Sequence, residues 1–151
     1  MSNQGTSTRI IFPFMKPVYD SLADYAYPLL RVTAGLIFVP HGWQKFFERF
    51  DGTVAFFAKI GLEPAAALVT YVALVELVGG LAIALGLLTR PFALMAAVNL
   101  FVAAFYVHWA KGFPWTGGGY EYPLLWALVM VVIFIRGGHH CSLDRKIGRE
   151  F

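Results

Sequence analysis

Apolar residues gather in four long runs, near residues 25–44, 65–88, 91–109 and 121–136, and the stretches between them hold most of the charge. Each run approaches the roughly 20 residues that a helix needs to cross the hydrocarbon core of a bilayer. The pattern predicts an all-α fold, an integral membrane four-helix bundle. Turn chemistry places its boundaries. Asp24 is a suitable N-cap for span one, with Tyr27 and Pro28 in the first turn, where proline's missing N–H costs little. Pro40 falls inside that span and frees the carbonyl of Leu36, which predicts a kink, or an early end to the regular helix, before His41, Gly42 and Trp43. Spans two and three form a tight hairpin, because only Thr89, Arg90 and Pro91 separate Leu88 from Phe92. Thr89 reads as the N-cap there, and Pro91 as a first-turn residue. Gly137 and Gly138 terminate span four.

The connections have characters of their own. Residues 1–20 read as a disordered and then interfacial N-terminal segment, residues 21–138 as the membrane domain, and residues 139–151 as a basic, solvated cytoplasmic tail. Residues 48–63 combine five charges with the apolar Val54, Phe56, Phe57 and Ile60, as a helix lying flat on the membrane would. Residues 111–120, with Pro114 and three consecutive glycines at 117–119, form a turn-rich loop that can act as a lid.

Composition agrees with the pattern. The 151 residues are 58% hydrophobic and only 14% charged, against about 25% charged in soluble domains. The formal net charge is +3, but the basic residues form no stripe with interleaved aromatics, so nucleic-acid binding is not expected. The charge reads as a topology signal. Residues 1–24, 89–90 and 136–151 hold Arg9, Lys16, Arg90, Arg136, Arg145, Lys146 and Arg149, which puts both termini in the cytoplasm of a multi-pass inner-membrane protein. A single cysteine, Cys141, excludes an intramolecular disulfide or a Cys-x-x-Cys pair.

Polar side chains within the spans mark the candidate chemistry, since lipid penalises each of them. Glu76 lies near the middle of span two and Arg31 in span one. At about 1.5 Å rise per residue their depths bring them within side-chain reach, so an Arg31–Glu76 pair is expected. At the outer side His41, Trp43 and Gln44 end span one, His108 and Trp109 end span three, and Glu121 opens span four. Two imidazoles and a carboxylate at one depth can shuttle protons, bind a metal or hold a quinone carbonyl, and spacing does not choose among these. Asn99 and His108 are nine residues apart, which at about 100° per residue points them to opposite faces unless the helix bends. Ala34, Gly35, Gly79, Gly80, Ala82, Ala84 and Gly86 allow close approach of helices. His139, His140 and Cys141 are three soft ligands in a row, read as part of the solvated tail in preference to a metal site.

Three segments carry a family resemblance: His41-Gly42-Trp43-Gln44-Lys45-Phe46; Val75-Glu76-Leu77-Val78-Gly79-Gly80 with Leu85-Gly86-Leu87-Leu88-Thr89-Arg90-Pro91; and Cys141-Ser142-Leu143-Asp144-Arg145. Over roughly residues 25–146 the chain resembles the DoxX family of small four-helix membrane proteins. That family is named after a subunit of a thiosulfate:quinone oxidoreductase, and other members are associated with quinone or catechol response and with membrane redox complexes. The resemblance implies a quinone-interacting component of a membrane oxidoreductase. His41, His108 and Glu121 are then the catalytic candidates, and Trp43, Gln44, Arg31 and Glu76 the residues around the quinone. No metal and no covalently attached cofactor are expected. The sequence has no dithiol, no c-type haem motif and no dinucleotide-binding glycine fingerprint, so electrons require a partner subunit or a non-covalently held cofactor. The expected partners are the lipid bilayer, a quinone and a soluble or membrane redox subunit, and a homo-oligomer stands open beside them. Two further readings remain open: a non-catalytic anchor or assembly module working through the tail, and a small-molecule carrier or tolerance factor using Glu76.

Overall fold

The computed structural model describes residues 10–149, and the expected disorder of residues 1–9 falls outside them. The described residues are helical, with no strands. Helix α1 (Lys16–Trp43) begins well before Asp24, because Pro17 occupies its first turn and a Lys16–Asp20 ion pair one turn apart supports the exposed start. Asp24 is therefore not a cap, and Pro28 lies inside the helix. The regular helix also runs through Pro40 to Trp43 and only then widens into a π turn, Gln44–Glu48, closed by the Arg49 N–H on the Gln44 carbonyl at 2.8 Å.

The short helix α2 (Phe50–Lys59) has no residue buried within the chain and carries Asp51 in its first turn and Lys59 in its last, as the helix dipole favours. The next rod is continuous from Ala65 to Leu85, comprising α3 (Ala65–Leu74), a π turn (Val75–Gly79) and α4 (Gly80–Leu85). It stops at Gly86, whose φ of +72° suits glycine. The Leu87 N–H bonds the Ala82 carbonyl and the Gly86 N–H the Ile83 carbonyl, the paired bonds of a Schellman cap. After the tight turn come α5 (Thr89–Val102), a third π turn (Ala103–Val107), α6 (Glu121–Arg136), which ends at Gly137, and a five-residue helix α7 (Leu143–Ile147).

Close packing follows the small residues. A Cβ on Gly35 would meet the Gly80 carbonyl oxygen at 2.5 Å, and one on Gly42 the Leu77 nitrogen at 2.4 Å, so the backbones of α1 and the α3–α4 rod touch. On the rod's other side α5 and α6 pack extensively, and Ala93, Ala96, Ala97, Met130 and Ile133 join Ala34, Phe38, Val75 and Ile83 in the core. Large apolar side chains such as Leu29, Leu81, Leu94, Leu125 and Ile135 stay exposed, as on a lipid-facing surface.

Three rods are long and apolar enough to cross a bilayer: Pro13–Glu48, Ala65–Leu85 and Thr89–Val107. Helix α6 matches the expected fourth run, but at 16 residues it is about 24 Å long, against a core of about 30 Å.

The segment after α6 is not a solvated tail. Asp144 and Ser142 are buried, and the segment docks against the α4–α5 turn. The Asp144 N–H bonds the Gly86 carbonyl at 2.9 Å, and its carboxylate accepts from the N–H groups of Leu88 (2.8 Å) and Thr89 (3.1 Å) and from the Thr89 hydroxyl (3.0 Å). Thus α5 is capped by a carboxylate 55 residues away in sequence, and Thr89, expected to be the cap, is a donor to it.

Candidate functional site

The charged groups inside the bundle separate into two ends. At the end bearing the C-terminal segment, Arg31 is 1% exposed and donates to the carbonyls of Ile83, Ala84 and Cys141. The Ile83 and Ala84 carbonyls lie in the last turn of α4, where the dipole is negative, and the Ile83 carbonyl accepts from the Gly86 N–H as well. The expected Arg31–Glu76 pair does not form, because this carbonyl cluster meets the guanidinium about two turns nearer the hairpin than Glu76. Tyr27 closes the same end with a 2.5 Å bond to the Gly137 carbonyl.

Glu76 pairs with Lys45, at 2.6 Å. The two side chains are 14% and 28% exposed, so the pair is largely withdrawn from solvent. Both residues sit in π turns, and His108 directly follows the third, whose i→i+5 bond runs from the His108 N–H to the Ala103 carbonyl at 2.9 Å. Such turns recur at functional sites because the inserted residue re-aims the side chains around it.

The insertion in α5 has a direct consequence. Nine residues at about 100° put Asn99 and His108 on opposite faces, but one inserted residue removes about 100° from that offset. Asn99 and His108 accordingly line one cavity together.

Two cavities flank this level of the bundle. The first, about 630 Å³, is walled by Ile37, Phe38, Leu100, Tyr122 and Trp126 and carries His41, Glu76 and His108. Trp115, Gly118 and Gly119 of the 111–120 loop also line it. That loop is tied down by the Tyr120 N–H on the Gly112 carbonyl and the Glu121 N–H on the Phe113 carbonyl, with Trp109 stacked on Tyr120 at 4.7 Å. The second cavity, about 480 Å³, lies between α2, the α3 rod and α5. The cavities share Phe38, Glu76, Leu100 and His108.

Hydrogen bonding fixes one tautomer. The Nδ1 of His108 is 2.6 Å from the Gly118 carbonyl, which only accepts, so Nδ1 carries the proton and neutral His108 keeps its lone pair on Nε2. Two buried donors have no partner among the described residues and line the cavities: the Trp126 indole N–H in the first and the Asn99 amide in the second. An unsatisfied buried donor costs about 1–3 kcal/mol, so an acceptor within reach of either would be favourable.

The other sequence candidates fall outside the cavity linings. Glu121 accepts from the Trp115 N–H at 3.1 Å and so pins the loop. Trp43 is exposed and packs on Phe47, and Gln44 is exposed in the first π turn. Arg31 belongs to the opposite end. Lys45, Asn99 as a cavity residue, and Trp126 were missed. The signal for Lys45 was its position four residues after His41, on the same helical face.

Together, fold and site define an all-helical, multi-pass membrane protein with a polar cluster between cavities inside the bundle. The sequence profile of the DoxX family matches residues 27–109, and the chain belongs to that family. It is 35% identical over 116 residues to a Bacillus subtilis (strain 168) protein named "Putative oxidoreductase CatD", covering 77% of this chain and 82% of that one. It is 32% identical over 135 residues to an "Uncharacterized protein" of Haemophilus influenzae (strain ATCC 51907 / DSM 11121 / KW20 / Rd), covering 87% and 97%. No solved structure matches.

Proposed function

We propose that this protein is a four-span component of the inner membrane, with both termini cytoplasmic, that binds a quinone in the first cavity and serves a membrane oxidoreductase. One observation carries the reading: an apolar cavity of about 630 Å³ that holds two imidazoles, a paired carboxylate and an unsatisfied indole N–H. A quinone headgroup is a flat apolar ring with acceptor oxygens, and ligand sites of this kind are apolar clefts of about 300–1,000 Å³ with a few placed polar groups.

Reduction of a quinone takes two electrons and two protons. The electrons come from a redox partner, since the sequence has no dithiol, haem-attachment or dinucleotide motif. This chain handles the ring and the protons. The Trp126 indole donates to one carbonyl; when quinol is oxidised His108 accepts a hydroxyl proton at its Nε2 lone pair, when quinone is reduced the imidazolium returns that proton, and His41 serves the second oxygen. Lys45 holds Glu76 in place in the shared wall, the position earlier expected of Arg31. The word oxidoreductase in the name of the Bacillus subtilis relative supports this class of activity.

The test is equilibrium dialysis of the purified protein against ubiquinone-1. Binding is expected to weaken at least about tenfold in Trp126→Phe, the loss of one buried hydrogen bond. In membranes, His41→Ala should abolish quinone-dependent turnover while the protein still accumulates. Turnover at the wild-type rate in His41→Ala would sink the assignment.

A further inference from the structure

The second cavity has no part in the reading above. It lies beneath α2, with Phe57 and Thr53 of that helix on one side, Tyr71 on another and Val98 and Asn99 on a third. Its volume of about 480 Å³ is within the range of ligand sites. Its charge is already balanced, because Lys45 and Glu76, both in its lining, neutralise each other at 2.6 Å. A further charge entering this apolar space would have no counter-ion, so an anionic or cationic ligand is disfavoured. Of its lining residues Asn99 alone carries a buried polar side-chain atom, Nδ2, that has no hydrogen-bond partner among the described residues.

We infer that the second cavity is a separate binding site for an apolar molecule presenting a neutral carbonyl oxygen, held by the Asn99 amide. Two molecules available in a membrane have this chemistry: a second quinone, or a phospholipid whose ester carbonyl reaches Asn99 with an acyl chain along Phe57 and Val98. The quinone source rests on the function proposed above, whereas the lipid source stands without it. Phe38, Glu76, Leu100 and His108 line both sites, so a ligand that moves one of them in one site would alter the affinity of the other, and linkage requires that effect to be reciprocal.

The experiment measures ubiquinone-1 bound per chain by equilibrium dialysis, with phospholipid retained through purification quantified by mass spectrometry. It compares wild type, Asn99→Leu, Trp126→Phe and Phe57→Trp, the last filling the cavity from α2 without touching Asn99. All four must elute as monodisperse protein. With a second quinone, wild type binds two equivalents, and Asn99→Leu and Phe57→Trp each bind one. With a lipid, one equivalent of phospholipid co-purifies with wild type and is lost from the same two variants. If Phe57→Trp and Asn99→Leu both leave quinone stoichiometry and retained lipid as in wild type, the inference is overturned. Loss of one quinone equivalent in Trp126→Phe, with the Asn99-dependent ligand intact, supports two separate sites. An Asn99-dependent ligand in wild type without any Trp126-dependent binding removes the proposed function and supports this site.

Discussion

Arg31 and Lys45 are both cations on the first helical rod, yet they are treated in opposite ways. Arg31 is 1% exposed and gives both terminal guanidinium nitrogens to three backbone carbonyls, with only its Nε lacking a partner among the described residues. Around it, Asp144 satisfies two backbone N–H groups and a hydroxyl, and a Cβ on Gly86 would meet the Ser142 Cβ at 2.5 Å. Lys45 instead joins Glu76 beside two cavities, with buried donors nearby that no protein group answers. The first end has the marks of a latch and the second those of a binding site. Both ends hold a buried donor without a partner, and what separates them is that Asn99 and Trp126 line cavities of ligand size whereas Arg31 lines neither.

The largest effect that would sharpen this contrast is on stability at the latch. Asp144→Ala orphans the Leu88 and Thr89 N–H groups at the start of α5 and should lower unfolding free energy by about 3 kcal/mol, with ubiquinone-1 affinity of the folded fraction unchanged. Reversible unfolding in mixed micelles measures the first, and dialysis the second. A matching loss of affinity would erase the distinction between the ends.

Glu76→Gln should cost less, about 1 kcal/mol, because the Lys45–Glu76 pair retains some solvent access and screening discounts it. Its stronger effect should be on quinone binding, since it changes the wall between the cavities. A stability loss as large as that of Asp144→Ala, with binding intact, would make the pair a second latch.

The smallest effect concerns pH at the terminal end. His139 is held below the ordinary histidine range, by desolvation first and then by neighbouring His140 and Arg136. Arg136 donates to its Nε2 at 3.2 Å, which requires that nitrogen to be unprotonated. With the folded pKa lowered, the unfolded segment takes up a proton more readily. The contribution of His139 to docking is therefore intact above the ordinary value near 6.5 and declines as pH falls below it. Protection factors for amide exchange over residues 139–149, taken against the slower intrinsic exchange at low pH, should fall at pH 5.5 relative to pH 7.5, and His139→Gln should flatten that difference.

Much of the architecture was legible in the chain. The Thr89-Arg90-Pro91 hairpin, the Glu121–Arg136 helix and the glycine contacts follow from hydrophobic period, turn residues and small side chains, all of which act locally. The bounds of α1 were misjudged because Asp24 offered a good cap, while the stronger start at Pro17 lay in a segment read as interfacial. The docked tail was invisible because Asp144 caps a helix 55 residues away, and nothing local to Cys141-Ser142-Leu143-Asp144 announces a distant partner. That His41 and His108 reach one level of the bundle was legible from depth, and both line the first cavity. The Lys45–Glu76 pair and the shared wall of Asn99 and His108 depend on three π turns, and a 100° periodicity cannot register an inserted residue.

His108 lines both cavities and takes no part in the latch, which makes it the most direct test of the division between the two ends. The decisive measurement is the dissociation constant of purified His108→Ala for ubiquinol-1, whose hydroxyl can donate to the Nε2 lone pair. A value weakened at least about tenfold, with the melting temperature of wild type, is the result expected when a ligand loses a buried hydrogen bond. An unchanged dissociation constant would contradict the assignment of this end to binding.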